Sequence, residues 1–281
     1  MNWHTTFRIG NCVIFISSEH DACTTELKKV VALYQTTELA PEIFFFIRSG
    51  HGKIELWADQ ELLWKCDNPG EICAGFEVHL YARAMKGLVP EFASIHAASI
   101  AINHSVTMFA GVSGAGKSSW CTKAMLEGAY YLSDEFSLLM ESGEIAPFPR
   151  PLQWGQEEHP AFPKDEMRKS PLLTEEVFSF PDVEGNTVNN CLWIPKRVQL
   201  QPLPLSHIIF PRYDCDAQAC EIIPVRRGEM LMEMLQHLHY KERPDISLKK
   251  LNQRIPESCD AYRVRFSDVH QAWDILNSRL V

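Results

Sequence analysis

The chain has 281 residues, of which 46% are hydrophobic and 22% charged, and its formal net charge is -9 at pH 7. This balance is that of an ordinary globular protein, and the length suffices for one large domain or for a main domain with a smaller appendage. The acidic balance leaves no broad basic surface for a phosphate backbone or an anionic membrane. We therefore expect neither nucleic acid nor a membrane as a partner.

The first residues and the cysteines bear on the cellular compartment. The chain does not start with the basic-then-apolar order of a signal peptide, and no apolar run approaches the ~18 residues needed to span a bilayer. The nine cysteines are an odd number and lie scattered along the chain, which favours reduced thiols over a disulfide framework. We therefore expect a cytoplasmic protein.

The N-terminal part of the chain is rich in β-branched and aromatic runs. These runs predict a hairpin loop at 49–52 and strands at 12–16, 43–47, 53–57 and 62–66. Apolar residues then recur at helical spacing up to Gly87, which predicts a helix of about four turns. We expect a small β-rich N-terminal module with its linking helix over residues 1–89, and a catalytic domain over residues 90–281.

The remainder of the chain alternates predicted strands and helices, as expected for an α/β fold. Strands at 92–102 and 106–110 lead to a glycine-rich loop, and a helix that Gly128 ends in a left-handed cap follows the loop. Further elements are predicted as strands at 129–132, 136–140, 145–148, 208–210 and 261–266, and as helices at 228–238 and 269–276. Residues 153–189 show no clear period, so we expect either a functional lid or a disordered segment there.

The glycine-rich loop at residues 111–118, here called the P-loop, matches the pattern G-x-x-x-x-G-K-[ST] with a strand before it and a helix after it. The glycines let backbone N–H groups turn toward phosphate oxygens, and the helix start adds the positive end of its dipole. Lys117 is expected to neutralise the β- and γ-phosphates, and the Ser118 hydroxyl to ligate Mg²⁺. We therefore predict ATP and Mg²⁺ as ligands, with the nucleotide held by Gly111, Ser113, Gly114, Ala115, Gly116, Lys117, Ser118 and Ser119.

Two carboxylates, Asp134 and Glu135, follow the next predicted strand. The chain between Lys117 and Asp134 is long enough for a helix and a turn back to a neighbouring strand, so both carboxylates are expected to face the phosphates. One can hold Mg²⁺, and the other can accept the proton of an incoming hydroxyl as general base. Which carboxylate does which is open, and a solvated strand end is the alternative.

Four stretches in chain order carry a family resemblance: Ser94-Ile95-His96-Ala97-Ala98-Ser99, Gly111 to Ser119, Leu132-Ser133-Asp134-Glu135 and Pro147-Phe148-Pro149-Arg150-Pro151. Together they resemble the HPr kinase/phosphorylase family and its shorter relatives, among them kinases that phosphorylate lasso peptides, which are ribosomal natural products. The likeness covers about residues 92–151 and, more loosely, 208–214. It implies a P-loop kinase core of the HPr kinase/PEP carboxykinase type, with a mixed, β-rich sheet.

The resemblance also implies roles for individual residues. It makes Asp134 the proton acceptor, assigns Mg²⁺ to Glu135 with Ser118, and brings His96 near the transferred phosphate. The family has two aspartates where this chain has Asp134-Glu135, and its second glycine-rich signature is not found here, so neither HPr as substrate nor the phosphorylase reaction is implied. A satisfied core histidine is the alternative for His96.

Arg150 is a further candidate because it follows a proline at a predicted strand end. A guanidinium in that position can stabilise a transferring phosphoryl group or hold an acceptor carboxylate. An ordinary surface charge is the alternative.

These residues favour a metal-dependent kinase that transfers the γ-phosphoryl group of ATP to a serine or threonine hydroxyl. The expected acceptor is a peptide or protein, such as a lasso peptide. The alternatives are a kinase for a small-molecule hydroxyl, an ATPase whose carboxylates activate water, and a module that senses nucleotide. The N-terminal module is a candidate for binding the acceptor peptide at a sheet edge. The sequence leaves the acceptor and any homo-oligomer open.

Overall fold

The computed structural model of the chain describes residues 3–88, 92–153, 159–181, 187–239 and 244–280. The chain divides into two units of an α/β protein. The first unit comprises Met1–Pro90, Arg150–Glu157 and Thr174–Ile194, and the second comprises Glu91–Pro149, Glu158–Leu173 and Pro195–Val281. The chain therefore leaves the first unit, builds part of the second, and returns twice.

The first unit is built on a six-stranded sheet with two helices. Its elements are β1 (Trp3–Ile9), β2 (Cys12–Ser18), α1 (Asp21–Val31), β3 (Gln35–Thr36), β4 (Ile43–Gly50), β5 (Lys53–Ala58), β6 (Glu61–Cys66) and α2 (Pro69–Leu88). The strand order is β3-β1-β2-β4-β5-β6, and only the pair β2 and β4, which α1 connects, is parallel. Alternate strand residues are buried, as period-2 patterning requires, and Phe45 meets Phe76 of α2 edge to face at 5.1 Å between ring centroids.

The strands and the linking helix predicted for this unit are confirmed, but β1 and α1 were missed. In α1, Cys23, Leu27 and Val30 share the buried face, and Asp21 lies in the first turn. This helical spacing of apolar residues is visible in the sequence and could have predicted α1. The two threonines and two lysines of the segment weaken the apolar period in the sequence.

The second unit begins with the strands around the P-loop. Its first elements are β7 (Ala93–Ile102), β8 (Ser105–Ala110), α3 (Lys117–Leu126), β9 (Tyr130–Ser133), β10 (Phe136–Leu139) and β11 (Glu144–Ala146). All six were predicted, and Gly128 has the expected positive φ of 96° after α3. Strand β7 pairs antiparallel with β8 on one side and with both β10 and β9 on the other.

The prediction that residues 153–189 lack regular structure is wrong for the residues that the structure describes. This stretch contains β12 (Leu152–Gln153), α4 (Lys164–Lys169), β13 (Leu173–Pro181) and the start of β14 (Thr187–Pro195). The three strands form a sheet in the order β12-β14-β13. The pairing of β12 with β14 joins Leu152 to Trp193, which lie far apart in sequence, so this pair leaves little local signal.

The rest of the second unit completes an eight-stranded mixed sheet. Its elements are β15 (Leu203–Tyr213), β16 (Glu221–Pro224), α5 (Arg227–Gln236), α6 (Pro244–Arg254), β17 (Asp260–Phe266) and α7 (Val269–Leu280). Seven strands follow the order β11-β10-β7-β8-β15-β17-β16, the eighth strand, β9, pairs with β7, and β11 also pairs with β15. Of these elements, β16 and α6 were missed.

Two layers of helices cover this sheet. Met230 and Met234 of α5 and Leu251 of α6 join one core cluster with the strands. On α3, the indole of Trp120 packs against Phe109, Phe266 and Trp273, at 5.7, 5.1 and 6.3 Å between ring centroids. The aromatic layer fixes α3 to the sheet and to α7.

Parallel pairing decides where the chemistry can lie. Strands β8 and β15 are parallel, and β15 and β17 are parallel, so their carboxyl ends meet at one edge of the sheet. The P-loop follows β8 at that edge, which is the usual place for ligands in open α/β sheets.

Within the described residues, no helix has both the length and the apolar composition that crossing a bilayer requires. All nine cysteines are free thiols.

Arg150 and Glu77 illustrate how the returning chain is held in the first unit. The guanidinium of Arg150 lies over the Tyr81 ring, with 5.0 Å to the ring centroid. Tyr81 Oη donates a 2.8 Å hydrogen bond to Glu77, and Gln153 Nε2 donates to the same carboxylate at 3.5 Å. Glu77 is only 6% exposed, and burial raises its pKa, against the opposing effects of Tyr81 and Arg150.

A Glu77→Gln variant is expected to gain stability relative to the wild type as the pH rises from 4 to 7. Because the folded-state pKa of Glu77 is raised, its ionisation opposes folding above the unfolded value of about 4.3. The glutamine keeps an acceptor for Tyr81 and removes the charge. Unfolding midpoints at several pH values measure this, with the exposed Glu38→Gln as control. A difference between variant and wild type that does not change with pH would contradict the account.

Candidate functional site

The P-loop has the backbone that a phosphate cradle needs. Gly114 and Gly116 have φ values of 78° and 101°, which glycine adopts without steric cost. A Cβ at Gly116 would lie 2.7 Å from Cζ of Phe266, so this glycine also permits close contact with the end of β17. Tyr213, which ends β15, donates its N–H to the Ala115 carbonyl at 3.2 Å. The loop is therefore held by the ends of both neighbouring parallel strands.

Lys117 begins α3 and is 7% exposed. Its Nζ donates hydrogen bonds to the carbonyl oxygens of Gly111 and Val112, at 2.9 and 3.1 Å. Burial lowers the pKa of the lysine, whereas the negative charges of Glu135 and Asp134 raise it. The two carboxylates thus lie close enough to Lys117 to influence its charge, and their facing bound phosphates stays a prediction.

Asp134 and Glu135 lie in a turn that follows β9 and that the Ser133 side chain stabilises. Ser133 Oγ accepts hydrogen bonds from the N–H groups of Glu135 and Phe136, at 3.3 and 3.0 Å. This arrangement is a side-chain-capped turn, and it joins β9 to β10 while both strands stay paired with β7. Asp134 is 8% exposed, whereas Glu135 is partly exposed.

His96 contacts Glu135 directly. Its Nδ1 lies 3.0 Å from Oε1 of Glu135, so Nδ1 carries the hydrogen of this bond. The two residues are neighbours because His96 of β7 is paired in register with Phe136 of β10. His96 is therefore not a core histidine, and it lies beside Glu135.

His239 belongs to the same cluster, and sequence reasoning gave it no role. Its ring stands perpendicular to that of His96 at 5.5 Å between centroids, and it packs on Phe136 at 4.8 Å. Its Nε2 donates to the backbone carbonyl of Glu135 at 3.3 Å. The predicted helix was extended to residue 238, but α5 ends at Gln236. The sequence carries no signal for the turn of chain that follows.

His159 contacts the first turn of α3, and this residue was also missed. The Ala161 N–H donates to His159 Nδ1 at 3.1 Å, so the neutral ring carries its hydrogen on Nε2. That Nε2 is 2.8 Å from Ser119 Oγ and donates to it. Ser119 was predicted to bind nucleotide, and His159 now holds its hydroxyl. Burial, and secondly the charge of His270, lower the pKa of His159.

An open cleft of about 960 Å³ lies beside the P-loop, within the second unit. Its walls are the loop at residues 111–115, the end of β15, strands β16 and β17, and one side of α5. Arg212 lines this cleft, and so does Arg263, which pairs with Glu233 and Glu229. Asp134 and Glu135 are not among the residues that line this cleft.

Arg150 is not part of the second unit. It belongs to the first unit, where it lies over Tyr81. The remaining predicted residues, Gly111 to Ser119, His96, Asp134 and Glu135, all belong to the second unit. The site built from them contains an ammonium, two carboxylates, a hydroxyl and an imidazole around the start of one helix.

A Gly116→Ala variant is expected to lose about 1–3 kcal/mol of unfolding free energy, because it adds both a strained φ and a clash with Phe266. Gly114→Ala is the matched control, since its added Cβ meets nothing within 4 Å and only the φ is strained. Urea unfolding measures both variants. Equal losses would show that contact with Phe266 does not determine the need for glycine.

Lowering the pH below about 6.5 is expected to destabilise the chain, in part through His159. Because the folded-state pKa of this ring is lowered, protons bind the unfolded chain preferentially, and a second N–H at Nδ1 would oppose the Ala161 N–H. The unfolding midpoint of the His159→Phe variant should therefore fall less steeply than that of the wild type as the pH is lowered from 7.5 to 5.5. The exposed His104→Asn serves as control. Parallel curves for His159→Phe and wild type would refute the assignment.

No protein-family model matches the chain, and a search of curated proteins finds no match either. The likeness to the HPr kinase/phosphorylase family therefore rests on the quoted motifs alone.

Proposed function

We propose that this chain is an ATP- and Mg²⁺-dependent kinase of the HPr kinase-related type, which transfers a phosphoryl group to a serine or threonine hydroxyl of a peptide or protein. The observation that carries the proposal is the proximity of Asp134 and Glu135 to Lys117 at the start of α3. A phosphate-binding lysine beside acidic side chains is what phosphoryl transfer needs for positioning and for charge stabilisation.

The residues fit a bound Mg²⁺–nucleotide complex. Backbone N–H groups of the loop and the N-terminus of a ten-residue helix suit anionic phosphates. Glu135 and Ser118 offer oxygen ligands, which are the ligands that Mg²⁺ prefers. When bound, ATP supplies the phosphoryl group, and Mg²⁺ offsets its negative charge.

The remaining roles belong to the side chains of this chain. Lys117 neutralises phosphate oxygens. Its ammonium gives up its hydrogen bonds to the Gly111 and Val112 carbonyls and binds the phosphate oxygens instead. Asp134, as general base, would accept the proton of the acceptor hydroxyl while that oxygen bonds to the γ-phosphorus, and ADP would leave with the bridging oxygen as the γ-phosphorus–oxygen bond breaks. His96 orients the Glu135 carboxylate through the 3.0 Å hydrogen bond of its Nδ1. The loop glycines let the backbone approach the phosphates closely.

A nucleotide hydrolase is the second candidate, because the same carboxylate can take a proton from water instead of an alcohol. Glu135 is partly exposed, which is compatible with access for either water or an acceptor. The resemblance to kinases favours the alcohol. A small-molecule kinase would use the same residues, and only the acceptor would differ.

The proposal predicts phosphoryl gain on a serine- or threonine-containing peptide in the presence of ATP and Mg²⁺, measured by mass spectrometry. Lys117→Met should abolish transfer and weaken ADP binding. Asp134→Asn should keep ADP binding but reduce transfer about 100-fold or more, because it removes only the base. Lys86→Met and Asp67→Asn, which change exposed residues of the first unit, are the matched controls.

Three outcomes would overturn the proposal. Full transfer by Lys117→Met or Asp134→Asn would remove these residues from the mechanism. Rapid release of ADP with every acceptor absent, and no gain on any peptide or metabolite, would indicate a hydrolase. Tight ATP binding without turnover would indicate a nucleotide sensor.

A further inference from the structure

Strand β8 lies beside the second half of β7, and the segment at residues 237–239 lies in the corresponding position beside the first half. Strand β8 pairs with β7 only from Ala97 onward. Before that point, the His96 N–H donates to the His237 carbonyl at 2.7 Å, and the His239 N–H donates to the Ser94 carbonyl at 3.0 Å. Ile95 and Leu238 form an antiparallel bridge between these two bonds. The chain after α5 is thus tied to the strand that carries His96.

This pairing brings the His239 ring to the back of the His96–Glu135 pair. Its Nε2–H donates to the Glu135 carbonyl, which fixes the backbone from which the carboxylate extends. Its ring meets that of His96 edge to face, which restricts rotation of the imidazole that holds the carboxylate. A single side chain therefore constrains Glu135 from two directions.

We infer that His239 is a positioning residue that holds Glu135 in the orientation needed for Mg²⁺–nucleotide binding and transfer. The inference rests on the proposed kinase function, since it assigns His239 a part in that same site. Outer partners of a metal ligand typically affect metal affinity or activity by about 10–100-fold when removed. His239 does not itself touch the reacting atoms.

The contacts also distinguish positioning from simple packing. The ring fills space against Phe136 at 4.8 Å, which another aromatic ring can reproduce. The Nε2–H donor has no equivalent in phenylalanine, whereas the amide of glutamine can supply an N–H at a similar reach. A substitution pair can therefore separate the shape of the ring from its hydrogen bond.

The test compares His239→Phe and His239→Gln with the wild type. Fluorescent ADP is titrated with and without Mg²⁺, and kcat and KM for ATP are measured with an acceptor peptide. His239→Phe should bind ADP normally without Mg²⁺, lose about tenfold or more of the gain in affinity that Mg²⁺ gives, and lose a similar factor in kcat. His239→Gln should recover most of both. His104→Asn, at an exposed turn, controls for loss of a histidine.

Wild-type behaviour of His239→Phe in both assays would overturn the inference while leaving the proposed function intact. Equal loss in both variants, or weaker binding of metal-free ADP, would also overturn it by indicating a packing role. A wild-type chain that binds no nucleotide would overturn the proposed function itself. Melting curves for each variant confirm that the fold is retained during these measurements.

Discussion

The candidate site depends on the electrostatic interaction between the Lys117 ammonium and the carboxylates that follow β9. A buried ammonium is unfavourable by itself, and here the pKa of Lys117 is lowered by that burial. Two backbone carbonyls and two nearby negative charges offset the cost. The same group of charges can accept an anionic phosphate together with a cation, since each would replace or balance a partner already in place.

Strand pairing produces this contact from residues that are separate in sequence. Strand β7 is the common partner, because it binds β8 before the P-loop and also β9 and β10 on either side of Asp134-Glu135. The segment after α5 then pairs with the first half of β7 and brings His239 next to His96. The cleft beside the P-loop is walled by the same helix α5. The site is therefore built around strand β7, and the segments that pair with β7 determine which side chains lie in the site.

The sequence located those site residues that lie within, or directly after, a recognisable local pattern. The P-loop follows a β-branched strand and precedes a helix with a clear apolar face, so Lys117 and Ser118 could be placed directly. Asp134 and Glu135 follow a short strand whose length allows one return to the sheet. His159 and His239 could not be predicted in this way, because their contacts with Ser119 and Glu135 span 40 and 104 residues. Strands β13 and β14 were missed because the polar runs Thr174-Glu175-Glu176 and Asn189-Asn190 interrupt their apolar residues. Arg150 was expected near the phosphates; it belongs to the first unit, and its part in transfer stays a prediction.

The contact between Lys117 and Asp134 can be measured by a double-mutant cycle. The variants are Lys117→Met, Asp134→Asn and the double substitution, and the quantity is the free energy of unfolding in urea. Groups that interact within one charged network typically couple by about 0.5–3 kcal/mol. The account predicts that the double variant loses less stability than the sum of the single losses, by at least about 0.5 kcal/mol. Additive losses would mean that the ammonium and the carboxylate do not face each other, and the site described here would have no basis.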